Sequence, residues 1–180
     1  MNQLPDKFPD IATSRLALTA LKPAHAGRLF QLFTDKQVIR YYNVLPLKEE
    51  KDAEKVIHYL RQRFIDKLGI RWAITLKGTD EFIGTIGFNN FPQPHRGVIV
   101  YAIEHQHWGK GFMTEAIQAL VRYGFHDLEL IRIEAEVLPG NSASERVLAK
   151  NGFKQEGMLH KWLEWGGDFF DVNMWALVKA

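Results

Sequence analysis

A glycine-rich segment, residues 106–111 (QHWGKG), separates an apolar run from an amphipathic run and constrains the fold more than any other part of the chain. The apolar run, residues 98–103, has the length and composition of a buried strand. The amphipathic run starts near Phe112. Its apolar members fall on one helical stripe, namely Met113, Ala116, Ile117, Leu120, Val121 and Gly124. The segment therefore predicts a tight turn from a strand into a helix.

A turn of this kind can bind an anion. The first backbone N–H groups of a helix have no partners within the helix, and the helix dipole adds partial positive charge there. Gly109 and Gly111 would let those groups approach phosphate oxygens without an intervening Cβ. By itself the pattern also fits an ordinary connecting turn in which the glycines have no binding role. A Walker loop is absent from the sequence, and Thr114 stands where the dinucleotide fingerprint needs its third glycine.

Composition favours one cytoplasmic domain of 180 residues, 46% of them hydrophobic. The 23 basic and 21 acidic residues nearly balance, so neither a nucleic-acid partner nor a membrane partner is expected. The chain lacks cysteine, which excludes disulfides, thiolate metal sites and cysteine nucleophiles. Residues 1–14 do not resemble a secretory signal. We expect one domain over 1–180, a loose segment at 1–12, and either a monomer or a homodimer.

Hydrophobic periodicity predicts the order β-α-α-β-β-β-α-β-α-β-β. The predicted strands are 15–21, 71–76, 81–88, 97–104, 131–137, 153–158 and 171–178. The predicted helices begin at Pro23, Glu49, Phe112 and Ser142, with a short additional helix at 35–41. Residues 89–96 are predicted to form a loop because they contain Pro92 and Pro94. A meander combined with one crossover predicts an α+β fold, with a mixed, mostly antiparallel sheet of about seven strands flanked by helices.

Five motifs in this order resemble those of the GNAT superfamily of N-acetyltransferases, in particular its RimJ/RimL-like subfamily, a group that contains enzymes acetylating ribosomal-protein N-termini. They are residues 13–16 (TSRL), 82–87 (FIGTIG), 101–115 with the core WGKGFMTE, 141–144 (NSAS) and 151–153 (NGF). Together they span nearly the whole chain. The resemblance implies a single GNAT-like acetyltransferase domain that moves an acetyl group from acetyl-CoA to a primary amine.

The resemblance also implies which residues bind acetyl-CoA. The pyrophosphate would accept hydrogen bonds from the glycine turn and the helix start, in agreement with the anion site inferred above. The pantetheine arm would add to the edge of the preceding strand and bond to Asn141, with Ser144 near the thioester. The residues so assigned are Tyr101, Ala102, Ile103, Gln106, His107, Trp108, Gly109, Lys110, Gly111, Phe112, Met113, Thr114, Asn141 and Ser144. Basic residues that could reach the ribose phosphate are Arg122, Arg146 and Lys150.

Direct acetyl transfer needs a neutral amine, donors for the developing oxyanion and a proton for the leaving thiolate. A backbone N–H of the strand would stabilise the oxyanion. Ser144 is the candidate proton donor. Ser144 and Asn141 could instead only satisfy the start of the helix that follows, since serine and asparagine are common there.

The general base departs from the family pattern. RimJ/RimL-like strands often carry a glutamate at the position that Val98 occupies here. Glu104 is one substitute, although it could equally be a solvated carboxylate or a helix-dipole partner. Glu164, in a predicted loop over 161–168, is preferred. The remaining substitutes are His95 and Asp168.

Several alternatives remain open from the sequence. The subfamily favours a protein N-terminal amine as acceptor, but a polyamine, an amino acid or an amine antibiotic remains open because the predicted acceptor loops carry no interpretable motif. A non-catalytic acyl-CoA-binding sensor is possible because Val98 replaces the base, although Ser144 argues against it. A nucleotide-binding oxidoreductase is disfavoured by Thr114 and by the meander. No metal site is expected, because His105 and His107 lack a third ligand nearby.

Overall fold

The computed structural model describes residues 4–42 and 47–180, over which it contains eight strands and five α-helices. The strands are β1 Ile11–Ala12, β2 Leu16–Ala20, β3 Ile70–Leu76, β4 Phe82–Gln93, β5 Arg96–Ile103, β6 Arg132–Val137, β7 Lys154–Trp165 and β8 Asp168–Val178. The helices are α1 Ala26–Thr34, α2 Lys36–Ile39, α3 Glu50–Ile65, α4 Phe112–His126 and α5 Ser142–Lys150. The predicted α+β class is confirmed. The additional strand is the two-residue β1.

One sheet contains all eight strands, in the order β1-β2-β3-β4-β5-β6-β8-β7. Every neighbouring pair is antiparallel except β5 and β6, which are parallel and joined through α4. The sheet is therefore mixed and mostly antiparallel, as predicted. No helix within residues 4–42 and 47–180 is long and apolar enough to cross a membrane.

The two faces of the sheet are covered by different helices. Ile99 and Ile103 of β5 pack in one core cluster with residues of α4 and α5. Ala102 packs in the other cluster, with α1 and α3. Because successive side chains of a strand point to opposite faces, odd-numbered residues of β5 face α4 and even-numbered residues face α1 and α3.

The parallel strands β5 and β6 separate along their length. They are paired only at Arg96–Arg132, Gly97–Ile133 and Val98–Glu134. Beyond Val98, β5 continues to Ile103 with β4 as its only paired neighbour. One backbone edge of β5 is therefore left free over residues 99–103, and a cleft opens there between the two strands.

The segment before β1 is packed on the core, which differs from the expected loose segment. Leu4 is only 2% exposed. The Phe8 ring lies against Phe64 and Trp72, and Trp72 Nε1 donates a hydrogen bond of 2.6 Å to the Pro9 carbonyl. Buried apolar area and this hydrogen bond offset the entropy of ordering the segment. Residues 1–3 of the expected loose segment lie outside the described residues.

Two predicted loops are strands in the structure. β4 continues to Gln93, and register irregularities between Phe88 and Gln93 let the strand accommodate Pro92, which cannot donate to the ladder. Residues 161–168 belong to the long β7–β8 hairpin. Its turn contains Gly166 and Gly167, both at positive φ, and the aromatic residues around it favour extended backbone.

Candidate active site

A cleft of about 400 Å³ lies where β5 and β6 separate. It is bounded by these strands, by the turn before α4, by α5 and by residues in and just after α2. Most of the residues that the sequence assigned to acetyl-CoA line it: Tyr101, Ala102, Ile103, His107, Trp108, Gly109, Gly111, Phe112, Met113, Thr114, Asn141 and Ser144. Gln106 and Lys110 were also assigned, but they do not line it.

The glycine turn delivers the start of α4 to the mouth of the cleft. Gly109 has φ 73° and Gly111, at the N-cap position of α4, has φ 79°. A side chain at either position would strain this left-handed backbone. No side chain among the described residues caps α4. Its first N–H groups are therefore free to bind an anion.

The TSRL motif fixes this turn in place. Glu115, in the first turn of α4, accepts hydrogen bonds of 2.6 Å from Thr13 Oγ1 and 2.8 Å from Ser14 Oγ. The backbone N–H of Arg15 donates to the same carboxylate at 2.8 Å. The Arg15 guanidinium also donates a 3.1 Å hydrogen bond to the carbonyl of Lys110, which is a residue of the turn.

Glu104 does not have the solvated position considered from the sequence. It is buried, and its Oε2 accepts hydrogen bonds from Arg28 Nη2 at 2.8 Å and Gln106 Nε2 at 2.7 Å. Glu104 does not line the cleft, so its geometry disagrees with a role as general base. The adjacent His107 is buried, and neither of its ring nitrogens has a hydrogen-bond partner among the described residues.

Asn141 and Ser144 stand together at the start of α5. Asn141 caps the helix, since its Oδ1 accepts a 3.2 Å hydrogen bond from the backbone N–H of Ser144. Both side chains also line the cleft, so capping does not remove them from it. The Tyr101 hydroxyl is buried close to the Ser144 hydroxyl but forms no hydrogen bond of regular geometry with the described residues. Burial raises its pKa to about 12, against a smaller opposing effect of the Ser144 hydroxyl, so this phenol is neutral at physiological pH.

The other base candidates lie away from the cleft. Glu164 is exposed on β7, opposite Phe169 on β8. Asp168 is at the tip of the same hairpin. His95 is in the β4–β5 turn, at the opposite end of β5 from the cleft. The position of Glu164 could not be inferred from the sequence, because the length of the hairpin follows from its pairing register.

Glu136 is a cleft residue that sequence reasoning missed. It is the one carboxylate among the described residues that line the cleft, and it accepts a 2.8 Å hydrogen bond from Trp162 Nε1. The alternation in β6 placed Glu134 and Glu136 on one face, which was the available signal. Arg146 and Lys150 of α5 also line the cleft, whereas Arg122 does not.

No group of three or more histidine, cysteine, aspartate or glutamate side chains in the described ranges 4–42 and 47–180 is arranged to hold a metal ion. What the site does present is a set of uncapped N–H groups, a free strand edge and two cationic side chains on α5. This donor set fits a long anionic ligand with an amide-containing arm.

Comparison with known proteins is consistent with this geometry. A family profile described as acetyltransferase (GNAT) domain matches residues 15–154. The N-acetyltransferase YoaA of Bacillus subtilis (strain 168), described as uncharacterized, is 39% identical over 173 residues, covering 96% of this chain and 98% of YoaA. The ribosomal-protein-serine acetyltransferase of Escherichia coli (strain K12) is 30% identical over 171 residues, covering 91% of this chain and 92% of that protein.

Solved structures share the fold. The crystallised RimL, a ribosomal L7/L12 alpha-N-protein acetyltransferase in complex with coenzyme A, superposes with a TM-score of 0.83 at 23% sequence identity. The superposition covers 94% of this chain and 98% of RimL. At this level of identity the likeness concerns the fold alone.

Proposed function

Because this chain belongs to the GNAT family and is an N-acetyltransferase, we propose that it transfers the acetyl group of acetyl-CoA to the α-amine of a protein N-terminus. The observation that carries this proposal is one cleft in which an uncapped helix start and a free strand edge lie side by side. A polyamine, an amino acid or an amine antibiotic is the alternative class of acceptor.

The cleft offers a site for each part of acetyl-CoA. The N–H groups from Gly109 to the first turn of α4 suit the pyrophosphate. The free edge of β5 over 99–103 suits the amides of the pantetheine arm, which can add to it as a further strand. Arg146 and Lys150 suit the ribose phosphate. Asn141 keeps its side-chain N–H groups for the pantetheine arm while its Oδ1 caps α5.

Transfer requires a proton for the departing thiolate. Ser144 Oγ is the proposed donor, since the hydroxyl lines the cleft at the start of α5. Tyr101, which also lines the cleft and is neutral, supplies a second hydroxyl beside it. A backbone N–H on the free edge of β5 is the proposed donor to the oxyanion.

The protonation of amines supports an N-terminal acceptor. An α-amine has a pKa of about 7.7–8.0, whereas a lysine-type amine has a pKa of about 10.4. At neutral pH the α-amine is therefore neutral in a fraction about two orders of magnitude larger. The chain has a formal net charge of only +2, so its overall field neither selects nor strongly attracts a polycation. The name of the Escherichia coli relative points to the same class of acceptor.

The test is thiol release from acetyl-CoA across a panel of N-terminal peptides and small amines. We expect the peptides to be the best acceptors. Ser144→Ala should lower kcat about 100-fold and leave acetyl-CoA affinity nearly unchanged. Ser142→Ala is the matched control, because Ser142 is at the same helix start but does not line the cleft. Acetyl-CoA binding without transfer to any amine would instead favour an acyl-CoA sensor.

A further inference from the structure

Val98 stands where RimJ/RimL-like strands often carry the glutamate that acts as general base, so a base in this chain has to come from another position. We infer that Glu136 is the general base that takes a proton from the acceptor amine, and that Trp162 is the residue that positions it. This inference rests on the proposed acetyl transfer. It is carried by the strand register, by the ion pairs of β6 and by the shape of β7.

The register places Glu136 on the same face as Val98. Val98 is directly opposite Glu134 in the parallel pair, and side chains opposite each other share a face. Glu136, two residues on, continues that face into the region where the strands separate. Glu134 itself is unavailable because its carboxylate is buried between Arg96 Nε at 3.1 Å and Arg132 Nε at 2.5 Å.

The Glu136 carboxylate is in a different electrostatic setting. It is half-buried, and its hydrogen-bond donor in the described structure is the neutral indole of Trp162. Within the described ranges no lysine, arginine or histidine forms an ion pair with it. A carboxylate without a cationic partner, open to a cleft, can accept a proton from an incoming ammonium group and attract its charge.

The shape of β7 directs Trp162 toward Glu136. The pairing with β8 is irregular just before Leu163, and Lys161 has φ 51°, which is uncommon for a residue with a side chain. The Lys161 N–H donates to Asp171 Oδ1 at 2.8 Å, which holds this bulge in place. A bulge changes the direction of the neighbouring side chain. Here the Trp162 indole reaches across β8 to β6.

Acid and base then stand on opposite faces of the sheet. Tyr101 belongs to the odd-numbered face of β5, which packs toward α4 and α5, and Ser144 is at the start of α5. Glu136 shares the face of Val98 and Ala102, which packs toward α1 and α3. An amine entering from this second face would come within reach of Glu136.

The amine nitrogen forms a bond to the acetyl carbon and gives one proton to Glu136. The carbon–sulfur bond breaks, its electron pair stays on sulfur, and sulfur takes a proton from Ser144 Oγ. Glu136 then loses its proton to solvent and Ser144 regains one from solvent. The products are the acetylated amine and free coenzyme A thiol.

The experiment compares Glu136→Gln with Glu164→Gln, using the best acceptor for the wild type. We expect Glu136→Gln to lower kcat at least 100-fold and to leave the calorimetric Kd for acetyl-CoA within threefold. Equal kcat in Glu136→Gln and the wild type overturns this inference alone. A wild type that acetylates no amine overturns the proposed function, and this inference with it.

Trp162→Phe tests the positioning role. This variant keeps an aromatic ring and removes the N–H donor, and Trp165→Phe on the same hairpin is the control. We expect a three- to thirtyfold loss of kcat in Trp162→Phe and no further loss when it is combined with Glu136→Gln. A merely structural tryptophan would give multiplying losses in the double variant, and that result would overturn the positioning role.

Discussion

Arg15 and Glu115 form an ion pair, with 2.7 Å between Nε and Oε2, that joins the chain before β2 to the first turn of α4. Burial raises the pKa of the Glu115 carboxyl. Hydrogen bonds from Thr13, Arg15 and Ser14 together outweigh this effect, so the pKa falls from 4.5 to about 2. The folded state therefore holds this group ionised far below its ordinary titration range. The uncapped N-terminal end of α4 is anchored by the same contact.

Glu115→Gln should destabilise the fold at neutral pH. The folded pKa is depressed from 4.5, so the contribution is complete above about pH 4.5 and is lost as pH falls toward about 2. This pKa shift sets an upper bound of about 3 kcal/mol on the contribution of the ionised Glu115 carboxylate to the free energy of unfolding. We expect a loss of about 1–3 kcal/mol in urea unfolding at neutral pH, and a flatter acid dependence than in the wild type. Glu54→Gln, on the exposed side of α3, is the control; equal acid profiles for Glu115→Gln and wild type would refute the assignment.

Arg28→Met should also destabilise the protein. It leaves the buried Glu104 carboxylate without its cation, and because Arg28 is itself 38% exposed we expect a loss of about 2 kcal/mol, below the usual range for a fully buried pair. Lys55→Met removes an exposed ion pair with Asp52 and should change stability by less than about 0.5 kcal/mol. Denaturant unfolding measures both. Equal effects in the two variants would show that Glu104 is solvated.

Tyr101→Phe should separate stability from activity. The Tyr101 hydroxyl is buried, and the nearby Ser144 hydroxyl offsets only part of the cost of that burial, which phenylalanine avoids. We expect the variant to unfold at a higher denaturant concentration, with a free energy of unfolding larger by about 1 kcal/mol, and to have a lower kcat. Tyr123→Phe, on α4 and outside the cleft, should leave kcat unchanged. A less stable Tyr101→Phe protein would indicate that the hydroxyl is already satisfied.

Replacing Arg146 and Lys150 should weaken the binding only of ligands that carry the ribose phosphate. We expect the Arg146→Gln, Lys150→Gln double variant to bind acetyl-CoA about tenfold more weakly and the dephosphorylated cofactor equally well, measured by calorimetry. Arg122→Gln is the comparison, since Arg122 is on α4 but not in the cleft. Equal losses for both ligands would place the phosphate elsewhere.

The sequence predicted the class of the fold because its periodicities are strong. The α4 stripe, from Met113 to Gly124, needs no tertiary information to be identified. The glycine turn was likewise visible, since Gly109 and Gly111 permit a conformation that few other residues adopt. The N-terminal segment was misjudged because its order depends on distant partners such as Trp72.

The proposed base, Glu136, could not be predicted from the sequence for a similar reason. Glu134 and Glu136 are equivalent in the sequence pattern, and only the ion pairs of Glu134 with Arg96 and Arg132 distinguish them. The partner of Glu136 is Trp162, twenty-six positions away and on a strand whose bulge has no clear sequence signal. Sequence patterns report local periodicity, whereas these contacts depend on strand order and register.

Calorimetric titration of Gly109→Ala and Gly78→Ala with acetyl-CoA tests whether the glycine turn and the β5–β6 cleft bind this ligand. Both glycines have positive φ, 73° and 86°, and an added Cβ at either would meet nothing of the protein within 4 Å. The two variants should therefore lose similar stability, and only Gly109 faces the cleft. We expect acetyl-CoA to bind Gly109→Ala at least tenfold more weakly than wild type and to bind Gly78→Ala normally. Equal affinity in all three proteins would contradict binding at this turn and cleft.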